Sequence, residues 1–431
     1  MKVGIYTLGC KVNTYESEYV ASLLEEHEYT VTSFDDVCDI YIINTCTVTN
    51  QSDSKSRKII HQAIRKNPNA CIVAMGCFIE ASKDIQIDGV DIYIGNKDKS
   101  KIVSLIEEWF QNRKVIRDLY PNLGLEFEDM EITRIKDHTR AFVKIQDGCE
   151  NFCTYCIIPY VRGKCRSKKK ETVISEVTNL VKNGYKEIVL TGIHTGNYGA
   201  DLDYDFASLL EELIQIEGLK RLRISSIEIT ELNDRVLSII EKSSIICDHL
   251  HIPLQAGSNH VLKMMNRKYD LAYYQEKIEK IRKIRPDISI STDIIVGFPG
   301  ETEEDFESTL AFSKQMQFSK IHAFPYSLRQ GTAASKFPNQ IDGTTKKERN
   351  HRLIALSEEL EISYMNTFQN KEVEVLIEKS IDGYSYGHTS NYLLVKIDGE
   401  YSQNSFVKAK ITEVKYPYCI ATTTKNSSIK M

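Results

Sequence analysis

Cys149, Cys153 and Cys156 stand in C-x3-C-x2-C spacing inside KIQDGCENFCTYCIIPYVRGKCRSKKK (Lys144 to Lys170), directly after a strand-like run, Ala141 to Gln146. A tight loop points three thiolates at one inorganic centre. Structural zinc wants four protein ligands, and ferredoxin runs supply four cysteines per cluster. Three thiolates leave one iron of a 4Fe–4S cluster without a protein ligand. An open iron is what radical chemistry on S-adenosylmethionine (SAM) needs: SAM chelates it, and an electron then breaks the sulfonium C–S bond to release a 5′-deoxyadenosyl radical. The plainer alternatives are three unrelated cysteines, or a zinc loop completed by His194 or His251.

Elements must position that loop. From Ile135 to Tyr326 six strand-like runs recur, Ala141–Gln146, Glu187–Thr191, Leu222–Ser226, His249–Pro253, Ser289–Ile295 and Ile321–Tyr326, separated by amphipathic helices such as Glu171–Lys182, Phe206–Ile216 and Asp305–Gln315. Thr302 reads as the N-cap of the last. Six βα units are too few for an eight-fold barrel, so an open (β/α)6 partial barrel is expected. Its chemistry belongs to the loops at the strands' carboxyl ends. Four of these loops carry candidate SAM-binding residues: Thr191 and Gly192 in TGIHTG, Ser225 and Glu228 in RISSIEI, Asp293 in STDIIVGFPGET, and FPYSLRQGTAA. Glycine lets a ligand approach the backbone closely, and a carboxylate such as Glu228 accepts from ribose hydroxyls. Ordinary βα turns are the alternative for each loop alone.

The first 118 residues repeat another pattern. Strand-like runs Lys2–Tyr6, Asp39–Asn44 and Cys71–Ala74 are each followed by a cysteine, Cys10, Cys46 and Cys77, and the helical patterns Tyr15–Glu26 and Asp53–Lys66 follow the first two. Alternating strands and helices give a parallel sheet in an α/β domain. Loops after its strands share one rim, so the three thiols are expected to converge there and hold a second cluster, again with an open iron. Cysteine as a small core residue is the alternative. Cys38 and Cys71 fall on the opposite rim.

After a helical run, Lys346 to Asn366, the pattern changes near Asn370 to five short strands, Glu372–Glu378, Tyr384–His388, Tyr392–Ile397, Phe406–Val414 and Tyr418–Thr423. These predict a small OB-like β-barrel. Tyr386, His388, Tyr392, Lys396, Lys408 and Lys410 offer contacts to unpaired bases and phosphates. The expected division is therefore 1–118, 135–366 and 370–431. With 431 residues, eleven cysteines and a net charge of −5, the chain reads as a multidomain cytoplasmic protein with reduced thiols. No apolar run nears the ~20 residues of a membrane span, no signal-peptide layout is visible, and any RNA is held by local basic patches. Lys263, Arg267 and Lys268 face either phosphate or water. Lys168, Lys169 and Lys170 read as a solvated charge run, and Arg162 and Arg166 as a local anion or SAM site.

The string DGCENFCTYCIIPYVRGKCRS resembles the radical SAM superfamily, and within it the methylthiotransferases; TLGCKVNTYESE, NTCTVTNQSDSKSRK and MGCFIE are similar to that family's three auxiliary-cluster segments. The resemblance implies Cys149, Cys153 and Cys156 as ligands of the SAM-cleaving cluster, with Tyr155 meeting the adenine of SAM. It implies Cys10, Cys46 and Cys77 as ligands of the auxiliary cluster, and a terminal barrel of the tRNA-binding TRAM type. Asn13 and Asn44 lie in the same motifs, either at the cluster or shaping its turns. Glu80 departs from the glutamine many relatives carry there. The expected activity is methylthio transfer to C2 of N6-threonylcarbamoyladenosine 3′ of the anticodon, with tRNA, SAM, an electron donor and a sulfur donor as partners. N6-isopentenyladenosine and a ribosomal-protein aspartate are the alternative substrates; an iron–sulfur tRNA-binding or redox-sensing protein without turnover is the alternative of another class.

Two sets of three cysteines generate a first prediction. Replacing Cys149, Cys153 and Cys156 by alanine will halve the iron of anaerobically reconstituted protein and abolish conversion of SAM to 5′-deoxyadenosine. Full iron content, or surviving SAM cleavage, is incompatible with the assignment.

Overall fold

The computed structural model describes residues 1–120, 123–132 and 139–423. The expected boundary at 135 and the stretch 424–431 lie outside the described residues.

Strands β1 (Lys2–Thr7), β2 (Thr30–Thr32), β3 (Ile40–Thr45), β4 (Cys71–Gly76), β5 (Ile92–Ile94) and β6 (Ile116–Asp118) form one sheet in the order β2-β1-β3-β4-β5-β6, every pair parallel. β3 and β4 are buried at every position, so both faces are covered by helices. This is why they read as continuous rather than alternating apolar runs. The runs expected at Lys2, Asp39 and Cys71 are present to within a residue or two; β2, β5 and β6 have only three residues each and leave too short a pattern to read. The helices expected at Tyr15–Glu26 and Asp53–Lys66 begin earlier, at Lys11 and Asn50. Thr49 caps the second by accepting from the Ser52 amide, a signal that lies outside the apolar periodicity.

The central region is an arc. β7 (Arg140–Lys144) is followed by a two-stranded ribbon, β8 (Gln146–Asp147) with β9 (Arg166–Ser167), that brackets the C-x3-C-x2-C loop. β10 (Glu187–Thr191) pairs in parallel with β7 and with β11 (Arg221–Ile224). β12 (His249–His251), β13 (Ser289–Val296) and β14 (Lys320–Pro325) form a second parallel trio. Bridges Leu222↔Ile246 and Ser226↔His251 join the trios into six strands, β7-β10-β11-β12-β13-β14. All six expected runs are there. Thr302 caps the helix Glu303–Met316, accepting from the Asp305 amide.

The helix Gly343–Asn366 leads to a closed five-stranded barrel: β15 (Glu372–Ile381), β16 (Tyr384–Thr389), β17 (Leu394–Asp398), β18 (Phe406–Lys415) and β19 (Tyr418–Thr423), in the order β15-β16-β17-β19-β18. On β18, Val407, Ala409 and Ile411 point inward while Lys408 and Lys410 are exposed, the period-2 alternation that made this strand legible.

What joins the first sheet to the arc is a buried ion network. Arg162, 0% exposed, donates to Glu16 (2.8 Å), to both Asp147 oxygens (3.1 Å each) and to Asn13 Oδ1 (2.9 Å). Lys144 reaches Glu16 (2.9 Å) and Asp147 (2.7 Å), and Lys99 lies 3.5 Å from Glu16. Arg162 and Arg166, expected to form a local anion or SAM site, instead pair with the protein's own carboxylates; Arg166 lies 3.7 Å from Asp147. Lys168 corrects the solvated reading. It is fully buried, bonded to Glu176 (2.6 Å), the Tyr15 hydroxyl (3.2 Å) and the Met130 carbonyl, whereas Lys169 is exposed.

Removing one member of such a network leaves the others buried and uncompensated, at a cost of about 3–5 kcal/mol. Glu16→Gln is expected to lower the midpoint of the first denaturant-induced unfolding transition accordingly. An unchanged midpoint would mean that the network does not hold the two parts together.

Candidate functional site

The two cysteine sets meet across this network. Cys10 opens the helix Lys11–Glu26, at the carboxyl end of β1. Cys46 follows β3, and Cys77 follows β4. Gly9, at φ +103°, presses so close that a Cβ there would lie 3.1 Å from Cys46 Sγ, which joins the first two loops. Asn13 and Asn44 prove to be turn-builders. Asn13 donates to the carbonyls of Leu8 (2.7 Å) and Thr45 (3.1 Å), and Asn44 donates to the Asn13 carbonyl (2.9 Å). Asn13 also accepts from the Cys10 thiol at 3.7 Å. Glu80 is one step removed from the thiols: it accepts from the Asn96 amide (2.9 Å), and the Asn96 side chain lies 3.5 Å from Cys77 Sγ.

Burial raises the Cys10 and Cys46 thiols; Arg162 pulls both back down, while Cys77 pushes both up. All three thiols therefore share one electrostatic environment, with Arg162 beside it. Cys77 packs directly on Ile157, Ile158 and Val161, just beyond Cys156. The two loops expected to carry separate clusters are neighbours.

In the second set, burial and the adjacent Cys153 and Cys149 push the Cys156 thiol up to about 12. Arg267 donates to Cys153 Sγ at 3.2 Å and to Glu228, and is 4% exposed at its side chain. Arg267 thus faces neither phosphate nor water, and its place at the cysteine loop was not legible in NRKY. His194 lies 3.9 Å from Cys149 Sγ and pairs through its other nitrogen with Glu231. Burial opposes its charge, but hydrogen bonds with Cys149, Cys165 and Glu231 push it up to about 12. His251 is elsewhere, against Asp293 (3.3 Å).

The six expected SAM contacts divide. Tyr155 and Glu228 both neighbour Arg267 beside Cys153. Thr191 ends β10, and Gly192 follows it. The space a Gly192 Cβ would take belongs to Gln146, whose Oε1 would be 3.0 Å away, so that glycine makes room for a protein side chain that holds the His194 amide (2.7 Å). Ser225 is buried and bonds Thr195 (3.2 Å). Asp293 lies deeper in the arc with His251 and His322. In the fourth loop Arg329 ties back to the first sheet, donating to Thr47 (2.5 Å), Asn50 (2.9 Å) and Asp53 (2.7 Å) beside Cys46.

The donor sets fit clusters better than zinc. Three thiolates on one zinc ion stand about 3.8 Å apart, yet among the described residues the one trio of potential ligands within 4.8 Å of one another is His251, Asp293 and His322. Each thiol trio also has a buried guanidinium, Arg162 or Arg267, suited to an anionic thiolate-bound centre.

Comparison with known proteins agrees with this arrangement. The Radical SAM superfamily matches residues 143–313, and the Uncharacterized protein family UPF0004 matches residues 2–95. The chain is 45% identical over 427 residues to the threonylcarbamoyladenosine tRNA methylthiotransferase MtaB of Bacillus subtilis, covering 96% of this chain and 95% of that one. It belongs to the radical SAM methylthiotransferases. The MtaB protein of Aquifex aeolicus is 37% identical (95% of this chain, 100% of the relative), and the tRNA-2-methylthio-N(6)-dimethylallyladenosine synthase of Thermoanaerobacter pseudethanolicus 38% (95% and 90%). Among solved structures, the radical SAM methyltransferase TsrM of Kitasatospora setae shares the fold at a TM-score of 0.57 and 13% identity, over 75% of this chain and 72% of that one. The cofactors of this methylthiotransferase are two 4Fe–4S clusters and SAM. No helix among the described residues is long and apolar enough to cross a membrane.

Arg267 generates the third prediction. A charge-assisted hydrogen bond is worth about 1.5–3 kcal/mol, and Arg267 makes one to Glu228 and one to Cys153. Arg267→Met is expected to retain the iron but cleave SAM about 10–100-fold more slowly. Unchanged cleavage would place Arg267 outside the SAM site.

Proposed function

We propose that this cytoplasmic enzyme places a methylthio group on C2 of N6-threonylcarbamoyladenosine in tRNA, next to the anticodon, with Cys149, Cys153 and Cys156 holding the SAM-cleaving cluster and Cys10, Cys46 and Cys77 holding the auxiliary one. The observation that carries this reading is the juxtaposition of two three-thiol sets, Cys77 packing on Ile157, Ile158 and Val161 just beyond Cys156 and Arg162 standing beside the first set; three thiolates would leave one iron of each cluster open. A C–H bond as inert as that of adenine C2 is beyond acid–base side chains; the cofactors supply reductive cleavage of SAM and a site for the transferred sulfur.

The chain's own residues set the geometry. Arg267 and Glu228, with Tyr155, line the SAM side, and His194 with Gln146 fixes the loop at Cys149. Arg329 and Arg162 hold the auxiliary loops against that site, so that sulfur and substrate carbon meet without a large domain movement. Exposed Phe152, inside the cysteine loop, and Tyr160, just after it, have their rings 6.0 Å apart and offer stacking faces to anticodon-loop bases. On the terminal barrel Lys396 lies over Tyr384 (3.6 Å) and near Tyr386 and Tyr418, a basic aromatic surface suited to tRNA. His388 and Tyr392 instead turn toward the arc: the Tyr392 ring stacks on His249 at 4.9 Å. A low-potential electron donor and a sulfur donor complete the reaction.

Nucleoside mass spectrometry tests the proposal. tRNA incubated with reconstituted enzyme, SAM and reductant is expected to gain 2-methylthio-N6-threonylcarbamoyladenosine, and Cys10→Ala/Cys46→Ala/Cys77→Ala is expected to cleave SAM without forming it. Methylthiolation confined to N6-isopentenyladenosine would transfer the activity to the other substrate.

A further inference from the structure

Lys11, next to the auxiliary thiol Cys10, lines two cavities. One, of about 440 Å³, is bounded by His249, His251, Ser291, His322, Tyr364 and Tyr392 among others; the other, of about 910 Å³, by Arg140, Phe142, Val189, Arg223 and Tyr392 among others. They meet at Lys11 and Tyr392, inside the arc, and the smaller is of a size that holds a compact ligand.

The charges around this chamber are nearly all paired. Asp293 faces His251 (3.3 Å), Glu361 faces Lys320 (3.2 Å), and Glu378 accepts from Arg140 (2.5 Å). Arg223 is engaged by Glu187 (2.8 Å) and the Ser390 carbonyl (3.0 Å). Glu400, exposed, borders the larger cavity only. Among the described residues Lys11 has no hydrogen-bond or ion-pair partner; it is exposed and borders both cavities, whereas Lys379, also exposed and without an ion pair, borders the larger one only. His249, 9% exposed, also has a ring nitrogen, Nδ1, without a partner. The smaller cavity, walled also by Met365, Leu393, Leu394 and Pro417, therefore holds an unpaired cation and a free imidazole nitrogen, one residue from the auxiliary thiols.

We propose that this chamber receives the amino-acid end of the substrate's N6 substituent, its carboxylate on the Lys11 ammonium, and that Lys11 thereby selects a carboxylate-bearing N6 group over an apolar one. The inference rests on the proposed function. With adenine C2 at the auxiliary sulfur, the substituent on C6 projects past Cys10 toward Lys11. A threonylcarbamoyl group ends in a carboxylate, with a hydroxyl and urea N–H groups for His251, His322 and Ser291. An isopentenyl group offers none of these and leaves the Lys11 ammonium and the His249 Nδ1 atom without partners. A site built around polar partners rejects the analogue that lacks them far more strongly than an apolar pocket discriminates between hydrocarbons.

The test is competition binding to full-length, cluster-loaded enzyme by two otherwise identical tRNAs, one bearing N6-threonylcarbamoyladenosine and one N6-isopentenyladenosine. Wild type is expected to prefer the first. Lys11→Met is expected to shrink that preference at least about tenfold, the scale of one charge-assisted hydrogen bond, with iron content unchanged, and Lys11→Arg to keep most of it. No preference in wild type, or the same preference in Lys11→Met, overturns the inference. Failure of the underlying reading appears separately, as wild-type enzyme that methylthiolates only the isopentenyl tRNA.

Discussion

Arg162 is the group on which the remaining geometry depends. Its guanidinium bridges Glu16 and Asn13 of the first unit to Asp147 of the second, and it lies one short helix beyond Cys156. The Glu16 and Asp147 carboxyls are held well below the usual range: burial alone would raise them, and Arg162 with Lys144 overrides it. Two carboxylates here meet four cations, Arg162, Lys144, Lys99 and Arg166, and the Lys99 ammonium has no hydrogen-bond partner. Glu128, also near Lys99 and Lys144, has its carboxyl raised by burial. Buried charge without compensation is costly. Cys10 and Cys46 stand beside Arg162, which favours their anionic form, so negative charge on these thiols would offset part of the excess.

How much of this was readable follows from pattern length. The six arc strands and the barrel strands were legible because each carries a period-2 or continuous apolar run of at least four residues, or lies in a βα repeat. β2, β5 and β6 carry three residues each, too short a run to show a period. The helix beginning at Lys11 was read four residues late because its first turn, KVNT, is capped by a cysteine without a side-chain cap bond, a start with none of the usual signals.

The cysteines were legible because a loop after a parallel strand has a fixed place. Their partners were not, since Arg267 reaches Glu228 across 39 positions of sequence and Arg162 reaches Glu16 across 146. Lys168 shows the same limit from the other side. Three consecutive lysines look alike in a sequence, and only the position of Glu176 and Tyr15 in space singles out the first for burial.

The chamber in the arc has a topological origin. An eight-stranded barrel fills its interior with side chains from all its strands. Six strands do not close, and the inward residues that remain, Phe142, Val189, Arg223, Ser291 and His322, leave volume between them. Lys11, from the helix after Cys10, borders that volume, which brings the auxiliary loop into the arc. At the strands' amino ends the terminal barrel closes it: Arg221 donates to the carbonyls of His388 and Glu374, Arg223 donates to the Ser390 carbonyl, and Tyr392 is inserted at a left-handed φ of +68°. A non-glycine residue held there is under local strain that its surroundings must offset, and stacking on His249 with the Arg223 guanidinium 4.5 Å from the ring centre provides that offset. The terminal barrel is thereby part of the chamber wall, so its attachment sets the shape of the chamber.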